Sequence, residues 1–428
     1  MDRRRSAPPP PPPSREEEEA LNDEEQFHFQ RVVGSFRGYE RVACADAERT
    51  RRASERLHPK LERLLPPRSL ERRVAGLRAA AAANGSFLAA ARRAAPRGGR
   101  DRATTTAAPR SQVVENQGSF GPPEAEGGDA AARAAAAAGA GGPPTRSTPR
   151  EADFSKVRST LHSCARDWSD EGAAERAACY GPLVDELRAR LPVDDGNRNR
   201  QRILVPGAGL ARLVLEVAAA GYGAQGNEFS YHMLLVSNFI LNSHLDPRSV
   251  ALYPYVDQPS NVKRSGDRLR AVRIPDVSPD ALLHGAPPCD APVDFSMAAG
   301  EFLEVYRGQD GEWAGVLSCF FVDTAPVALE YVDAIFDLLE PGGYWINLGP
   351  LLYHWVPSSA ADLEGAGMDD RYAQSIELSW EELKHAIEAR GFELLNEEWR
   401  HCTYTANARS MMNTDYECIF FTARKPLT

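Results

Sequence analysis

Apolar residues return along this chain at two periods, and the stretches over which each holds predict its elements. Between residues 20 and about 94 the spacing is helical. Phe27, Phe29, Val32, Val33 and Phe36 form one stripe, and Leu57, Leu61, Leu64 and Leu65 form a second that Pro66-Pro67 ends. Further on, Val157, Leu161, Cys164 and Trp168 share a helical face, and Tyr180, Leu183, Leu187 and Leu191 share another. Short apolar runs then alternate with helical stretches. Strands are expected over 203–205, 224–227, 315–322 and 344–348, helices over 210–220, 233–241, 328–339 and 380–390, and a closing pair of strands around 400–404 and 416–423. That alternation predicts an α/β fold, a mostly parallel Rossmann-like sheet with helices on both faces.

Composition sets the borders between these stretches. Residues 1–19 join a proline run to the acidic block 16–19 and predict a disordered tail; residues 95–150 are Ala, Gly, Pro, Thr and Arg and predict a disordered linker. The chain of 428 residues therefore divides into that tail, a helical region over 20–94, the linker, and a packed domain over 151–428. Charge divides with it. The first 150 residues carry 26 basic against 19 acidic side chains, net +7, and the remainder 24 against 41, net −17. An acidic main domain argues against nucleic acid as its principal ligand. The seven cysteines are scattered without a CxxC pair, which predicts neither a disulfide framework nor a zinc site and fits a reducing compartment. No apolar run reaches the roughly 18 residues of a membrane span, and Arg3, Arg4 and Arg5 lead into prolines rather than the apolar core of a secretory signal. The expectation is a cytoplasmic or nuclear protein with no membrane association.

The most informative local pattern is Ile203-Leu204-Val205-Pro206-Gly207-Ala208-Gly209-Leu210-Ala211-Arg212, with the acid Glu228 nineteen residues past Gly209. A buried strand, a glycine turn and a helix start bring backbone amides close to a ligand, and an acid at that distance meets ribose hydroxyls. A nucleotide-type cofactor fits; a purely structural turn also remains open. In an open parallel sheet ligands collect beyond the carboxyl ends of the strands, which singles out Asp323 after the run 316–322, and Asn347 and His354 at or after the run 344–348. Asp323 is either a ligand-facing carboxylate or the N-cap of a following helix. Tyr404 and Tyr416, on the closing strands, either share a cleft or simply pack. Metal-ligand spacing, a nucleophile elbow and a lysine-bearing phosphate loop are all missing from the sequence, so no metal site is expected.

Leu339-Glu340-Pro341-Gly342-Gly343 resembles the turn that class I methyltransferases place before their fifth strand. Ala211, where a dinucleotide loop has its last glycine, suits S-adenosylmethionine, which has no pyrophosphate. With ILVPGAGLARLVLE, GNEFSYHMLLVSNFILN, LYPY, FSMAAGEF, CFFVDTA, PGGYWINLGPLLYH, IELSWEEL and SMMNTDYEC, the chain resembles the carnosine N-methyltransferase (N2227-like) family from about residue 154 to its end, and more faintly from residue 24.

That resemblance implies a class I methyltransferase sheet and transfer of a methyl group from S-adenosylmethionine to an imidazole nitrogen of a histidine-containing dipeptide, carnosine to anserine. It implies cofactor contacts at Arg166, Gly207, Gly209, Glu228 and Phe302, and substrate contacts at Asp323, His354 and Tyr416 with Tyr404 nearby. Two matched positions depart from the family. Ser163 stands where the family has glutamine, too short to replace its contact, and Glu301 replaces an aspartate whose adenine or ribose hydrogen bond it can keep. The loop over 355–373 is longer than usual, which alters the substrate entrance. A histidine within a protein is the alternative acceptor, since it offers the same atoms. A non-catalytic cofactor-binding scaffold and a nicotinamide-dependent oxidoreductase are the rival classes. Oligomeric state is left open, a homodimer included.

Overall fold

The computed structural model describes residues 15–94, 147–194, 196–284, 294–356 and 374–427. Its first helices are α1 (Arg15–Arg56), α2 (Pro59–Glu62) and α3 (Ser69–Ala94), followed by α4 (Glu151–Trp168) and α5 (Ala173–Arg190). Strand β1 (Arg202–Pro206), helix α6 (Arg212–Ala219), strand β2 (Gly223–Glu228) and helix α7 (Tyr231–Asn242) begin the alternation. A small antiparallel pair, β3 (Val250–Leu252) and β4 (Val272–Ile274), precedes α8 (Pro279–His284), β5 (Phe295–Ala299) and α9 (Phe302–Val305). Then come β6 (Trp313–Cys319), α10 (Ala328–Leu338), β7 (Leu339–Gly349), α11 (Trp380–Arg390), β8 (Glu393–Thr403) and β9 (Asp415–Arg424).

Among the described residues seven strands form one sheet in the order β5-β2-β1-β6-β7-β9-β8. Pairing is parallel from β5 to β7, and β9 runs antiparallel to both β7 and β8. This is the α/β class I methyltransferase sheet that the alternation and the motifs predict. The order reverses at β1, whose neighbours are β2 on one side and β6 on the other, so the crevice beyond its carboxyl end is the topological switch point. The glycine turn lies there. Helix α11 begins and ends where the sequence predicts because Ser379 and Glu382 form a reciprocal capping box and Gly391, at φ 116°, closes its other end.

The front helices share a core with the helices that cover one side of the sheet and with the small β3–β4 pair. Val32, Phe36, Tyr39, Phe87, Leu88 and Ala91 pack in one cluster with Val157, Leu161, Trp168, Leu210 and Val236. Asn84, buried between α1 and the β3 region, ties the two by donating to the Tyr39 hydroxyl at 3.0 Å and to the Tyr253 carbonyl at 2.9 Å. A buried polar side chain satisfied on both sides fixes the docking of these helices more closely than apolar contact alone.

Several expectations are corrected. The acidic block 16–19 lies inside α1 rather than in a disordered tail, since the helix starts at Arg15. Leu61, Leu64 and Leu65 are 52%, 79% and 39% exposed among the described residues: their spacing is helical, but α2 is a single short turn that buries none of its residues. The run 315–322 is not one strand, because β6 stops at Cys319 and residues Val322–Thr324 form a 3₁₀ turn. The strands β3, β4 and β5 were not anticipated; β5 is half-buried along its length and carries no strict alternation. The linker over 95–146, residues 1–14, Cys289 and the loop over 357–373 lie outside the described residues. No helix among the described residues is long and apolar enough to cross a membrane.

Candidate active site

The glycine turn depends on backbone conformations that side chains disfavour. Gly207 and Gly209 sit at φ 65° and 54°, and Ala211, the residue before α6, at φ 66°. A Cβ on Gly207 would lie 2.7 Å from Cδ2 of Phe321, so both its conformation and its space require glycine. Glu228, at the end of β2, reaches across the switch point: one carboxylate oxygen accepts from Gly209 N at 2.8 Å, the other from Phe229 N at 3.0 Å and Ser230 N at 2.7 Å. Burial pushes its pKa up and these three amides pull it down, leaving it net raised.

Register places the rest of this wall. Ala299 in β5 pairs with Glu228, and Gly300 N donates to the Glu228 carbonyl at 3.1 Å, so Glu301 and Phe302 follow immediately beside the acid. Glu301 caps α9 by accepting from Glu304 N at 3.0 Å. The Phe302 side chain is 2% exposed and faces Phe321, Tyr331 and Tyr306 edge-on or tilted at 5.1–5.6 Å. Ser163 is buried one turn before Arg166 on α4.

Arg166 joins the two halves of the crevice. A Cβ on Gly209 would stand 3.9 Å from Arg166 Nη2, and Arg166 Cζ lies 4.6 Å from the centroid of the Tyr404 ring. Its guanidinium is held by Asp167, with Nε to Oδ1 at 2.7 Å and Nη2 to Oδ2 at 3.0 Å, and Tyr180 adds its hydroxyl to Asp167 at 2.8 Å. Burial works against the charge, but the Asp167 carboxylate together with Tyr180 and Tyr404 outweighs it and holds the guanidinium well above its usual pKa. Trp168 Nε1 donates to the Leu210 carbonyl at 3.1 Å, locking α4 to the glycine turn.

Beyond Tyr404 the wall continues through aromatic rings. Tyr404 follows the end of β8, Tyr416 lies in β9, and Phe320 contacts both, at 4.8 Å and 5.9 Å between centroids. Cys402 is registered with Tyr416, so these two belong to one face of the closing hairpin, and Tyr404, just past the end of β8, meets the same Phe320 ring as Tyr416. Tyr404 is 37% exposed; the Arg166 charge pulls its hydroxyl down, and partial desolvation with the Asp167 carboxylate pushes it up, with a net rise.

Asp323 is 2% exposed and does not cap a helix, because α10 begins five residues later. Its Oδ2 accepts from Leu352 N at 2.9 Å, and its carbonyl accepts from His354 N at 3.1 Å, which draws the segment after β7 onto it. Burial raises its pKa against the opposing pull of the Leu352 amide and of His354. The His354 side chain is exposed at the rim of the crevice. Asn347 does not belong with them: it is buried in the sheet, where its Oδ1 accepts from Ser318 Oγ at 2.8 Å and its Nδ2 donates to the Ile419 carbonyl at 3.4 Å.

The structure thus lines Gly209, Arg166, Tyr404, Phe320 and Tyr416 in contact order, with Asp323 two residues past Phe321, the residue packed on Gly207. Asp167 and Phe320 are parts of this site that sequence reasoning missed. Asp167 adjoins Arg166 in CARDWS, and an arginine-acid pair beside an apolar helical face was a usable signal; Phe320 looked like any residue of an apolar run.

The carnosine N-methyltransferase family model matches residues 143–427, more than half of the chain. The chain belongs to the carnosine N-methyltransferase family. A carnosine N-methyltransferase of Mus musculus is 44% identical over 275 residues, which cover 64% of this chain and 64% of the mouse protein. One of Schizosaccharomyces pombe is 40% identical over 273 residues, covering 63% of this chain and 71% of the yeast protein. The matched part therefore spans a little under two thirds of the mouse relative's length. A solved Haemonchus contortus phosphoethanolamine N-methyltransferase 2 in complex with S-adenosylmethionine aligns with TM-score 0.36 at 13% identity, over 64% of this chain and 58% of that one. The segment shared with the carnosine N-methyltransferase family takes in every crevice residue named above, from Ser163 to Tyr416.

Proposed function

We propose that the protein transfers the sulfonium methyl group of S-adenosylmethionine to an imidazole nitrogen of carnosine, giving anserine. The observation that carries this reading is the unbroken line from the glycine turn through Arg166 and Tyr404 to Phe320 and Tyr416. It makes a cofactor crevice and an aromatic acceptor crevice one space, and the family's acceptor is a flat heteroaromatic ring. The residues suit such a cofactor: Glu228 takes ribose hydroxyls, the turn at Gly207 and Gly209 lets a ligand approach the backbone, and Arg166 borders the amino-acid end. Bound there, S-adenosylmethionine supplies an electrophilic methyl group with a neutral thioether as leaving group.

Asp323 does the acceptor's chemistry. An imidazole attacks through a neutral ring nitrogen, so the other nitrogen must carry the proton; a carboxylate accepting that N–H selects the tautomer and stabilises the imidazolium as the new N–C bond forms. Its burial makes the interaction strong, because little water competes for the carboxylate. Loss of the imidazolium proton to solvent past the exposed His354 restores the neutral ring. Tyr404, Tyr416 and Phe320 would hold the plane of the acceptor ring, so that its neutral nitrogen could meet the methyl group directly without a covalent intermediate.

Incubation with labelled methyl donor and carnosine, homocarnosine, free histidine or a protein extract, with mass-spectrometric location of the label, tests the reading. Methylated carnosine is expected. Label appearing only on protein histidines would overturn the dipeptide assignment, and binding of S-adenosylhomocysteine without transfer to any arm would leave a scaffold.

A further inference from the structure

The connection between β8 and β9 is held from below by a residue with no part in the line of contacts just described. Glu175, in the first turn of α5, is 8% exposed. Its Oε1 accepts from Thr405 N at 2.7 Å and its Oε2 from Ala406 N at 3.0 Å, across 230 and 231 residues of sequence. These two bonds close on a strained point, since Thr405 sits at φ 49°, a conformation that a β-branched residue adopts only when its surroundings impose it. Tyr404, immediately before, is the residue that faces Arg166 on one side and Phe320 on the other.

The remainder of the connection has separate anchors. Asn407 Nδ2 donates to Gln258 Oε1 at 2.8 Å, Met411 N to the Asn261 carbonyl at 2.7 Å, and Arg409 pairs with Asp267 at 3.6 Å. Residues 407–411 are therefore fixed to the segment after β3 whether or not Glu175 is present. Glu175 governs 404–406 alone.

We infer that Glu175 is a positioning residue for the methyl acceptor: its carboxylate clamps the backbone at Thr405 and Ala406 and so sets the Tyr404 ring between Arg166 and Phe320. This rests on the methyl transfer proposed above. A carboxylate is needed because both facing groups are N–H donors. Glu175→Gln keeps the shape but turns an NH2 toward one of them, losing one bond and adding a donor-donor contact.

The test is steady-state kinetics with carnosine on full-length wild type, Glu175→Gln and Glu175→Ala, with calorimetry of S-adenosylhomocysteine and hydrogen exchange over residues 404–406. Glu175→Gln is expected to raise the acceptor KM about tenfold, the order that follows loss of one charge-assisted bond at a positioned loop. The kcat is expected to stay within about threefold, and the S-adenosylhomocysteine Kd to rise less than the acceptor KM, because Tyr404 touches the cofactor wall at Arg166 alone while the glycine turn and Glu228 are untouched. Exchange at 404–406 should quicken, and Glu175→Ala should move each quantity further in the same direction. An active wild type with acceptor KM unchanged in both variants overturns the role of Glu175 alone. A lowered melting temperature with KM unchanged marks a merely structural residue and overturns it equally. Wild type inactive on carnosine overturns the function and this inference with it.

Discussion

The two walls of the crevice are built in opposite ways. The cofactor wall comes largely from one strand-turn-helix unit, with Gly207, Gly209 and Ala211 in a run of five residues and Glu228 at the end of the next strand. The acceptor wall is gathered from three distant stretches, 320–323, 352–354 and the β8–β9 connection running to Tyr416. A wall made by local backbone geometry tolerates little change in main-chain shape, whereas a gathered wall depends on single side chains and on what anchors their loops. Arg166 is the joint between them, and its own orientation is delegated to Asp167.

The contrast breaks most sharply at Asp323. Asp323→Ala should lower kcat by about 10²–10⁴-fold, the range of a lost proton-directing group, while the S-adenosylhomocysteine Kd moves by no more than about threefold. Comparable losses in both quantities would show that the walls are not separable, and full activity would remove Asp323 from the chemistry.

Gly207→Ala tests the opposite wall. A methyl group there meets Phe321 at 2.7 Å on a residue already at φ 65°, which costs about 1–3 kcal/mol. Cofactor affinity should fall by roughly tenfold or more, with a melting temperature lower by roughly 2–4 °C per kcal/mol. Because Phe321 leads into the turn that carries Asp323, acceptor KM is the sharpening measurement. Its constancy confines the damage to the cofactor wall.

The smallest effect concerns stability against pH. Burial raises the folded-state pKa of Asp323 above its unfolded value, so at neutral pH the folded protein holds an ionised carboxylate at a cost that the unfolded chain does not bear. In the fold the group binds its proton more readily, and the cost builds up as pH rises from the unfolded carboxylate pKa through the raised folded one. Asp323→Asn keeps an oxygen for Leu352 N and should raise the melting temperature at neutral pH, with the gain shrinking as pH falls through the carboxylate range. A gain independent of pH, or a loss at neutral pH, would contradict the cause assigned to the shift.

Legibility in the sequence follows the same division. Gly207, Gly209 and Glu228 could be read because strand, turn and helix are set by neighbours in the chain, and α11 because its cap is written in Ser379 and Glu382. Asn347 was misplaced, since the position after a strand says nothing about whether a neighbouring strand offers Ser318 and the Ile419 carbonyl. The motif marks Phe302 as a cofactor residue without showing that its ring packs against Phe321 and Tyr331, which only the fold reveals. The leucines at 61, 64 and 65 have the right period, yet they stand exposed among the described residues.

By itself the sequence determined the α/β alternation, the glycine turn with its acid, and the family to which these residues belong. Those depend on local sterics and on periodicity, which a linear chain carries. Only tertiary structure decided that the front helices share a core with the helices covering the sheet, that Arg166 spans both walls with Asp167 behind it, and that Glu175 holds the backbone beside Tyr404. Each of these is a contact between residues far apart in the chain, selected by burial and by the need to satisfy polar groups once water is excluded, and neither condition exists until the chain has folded.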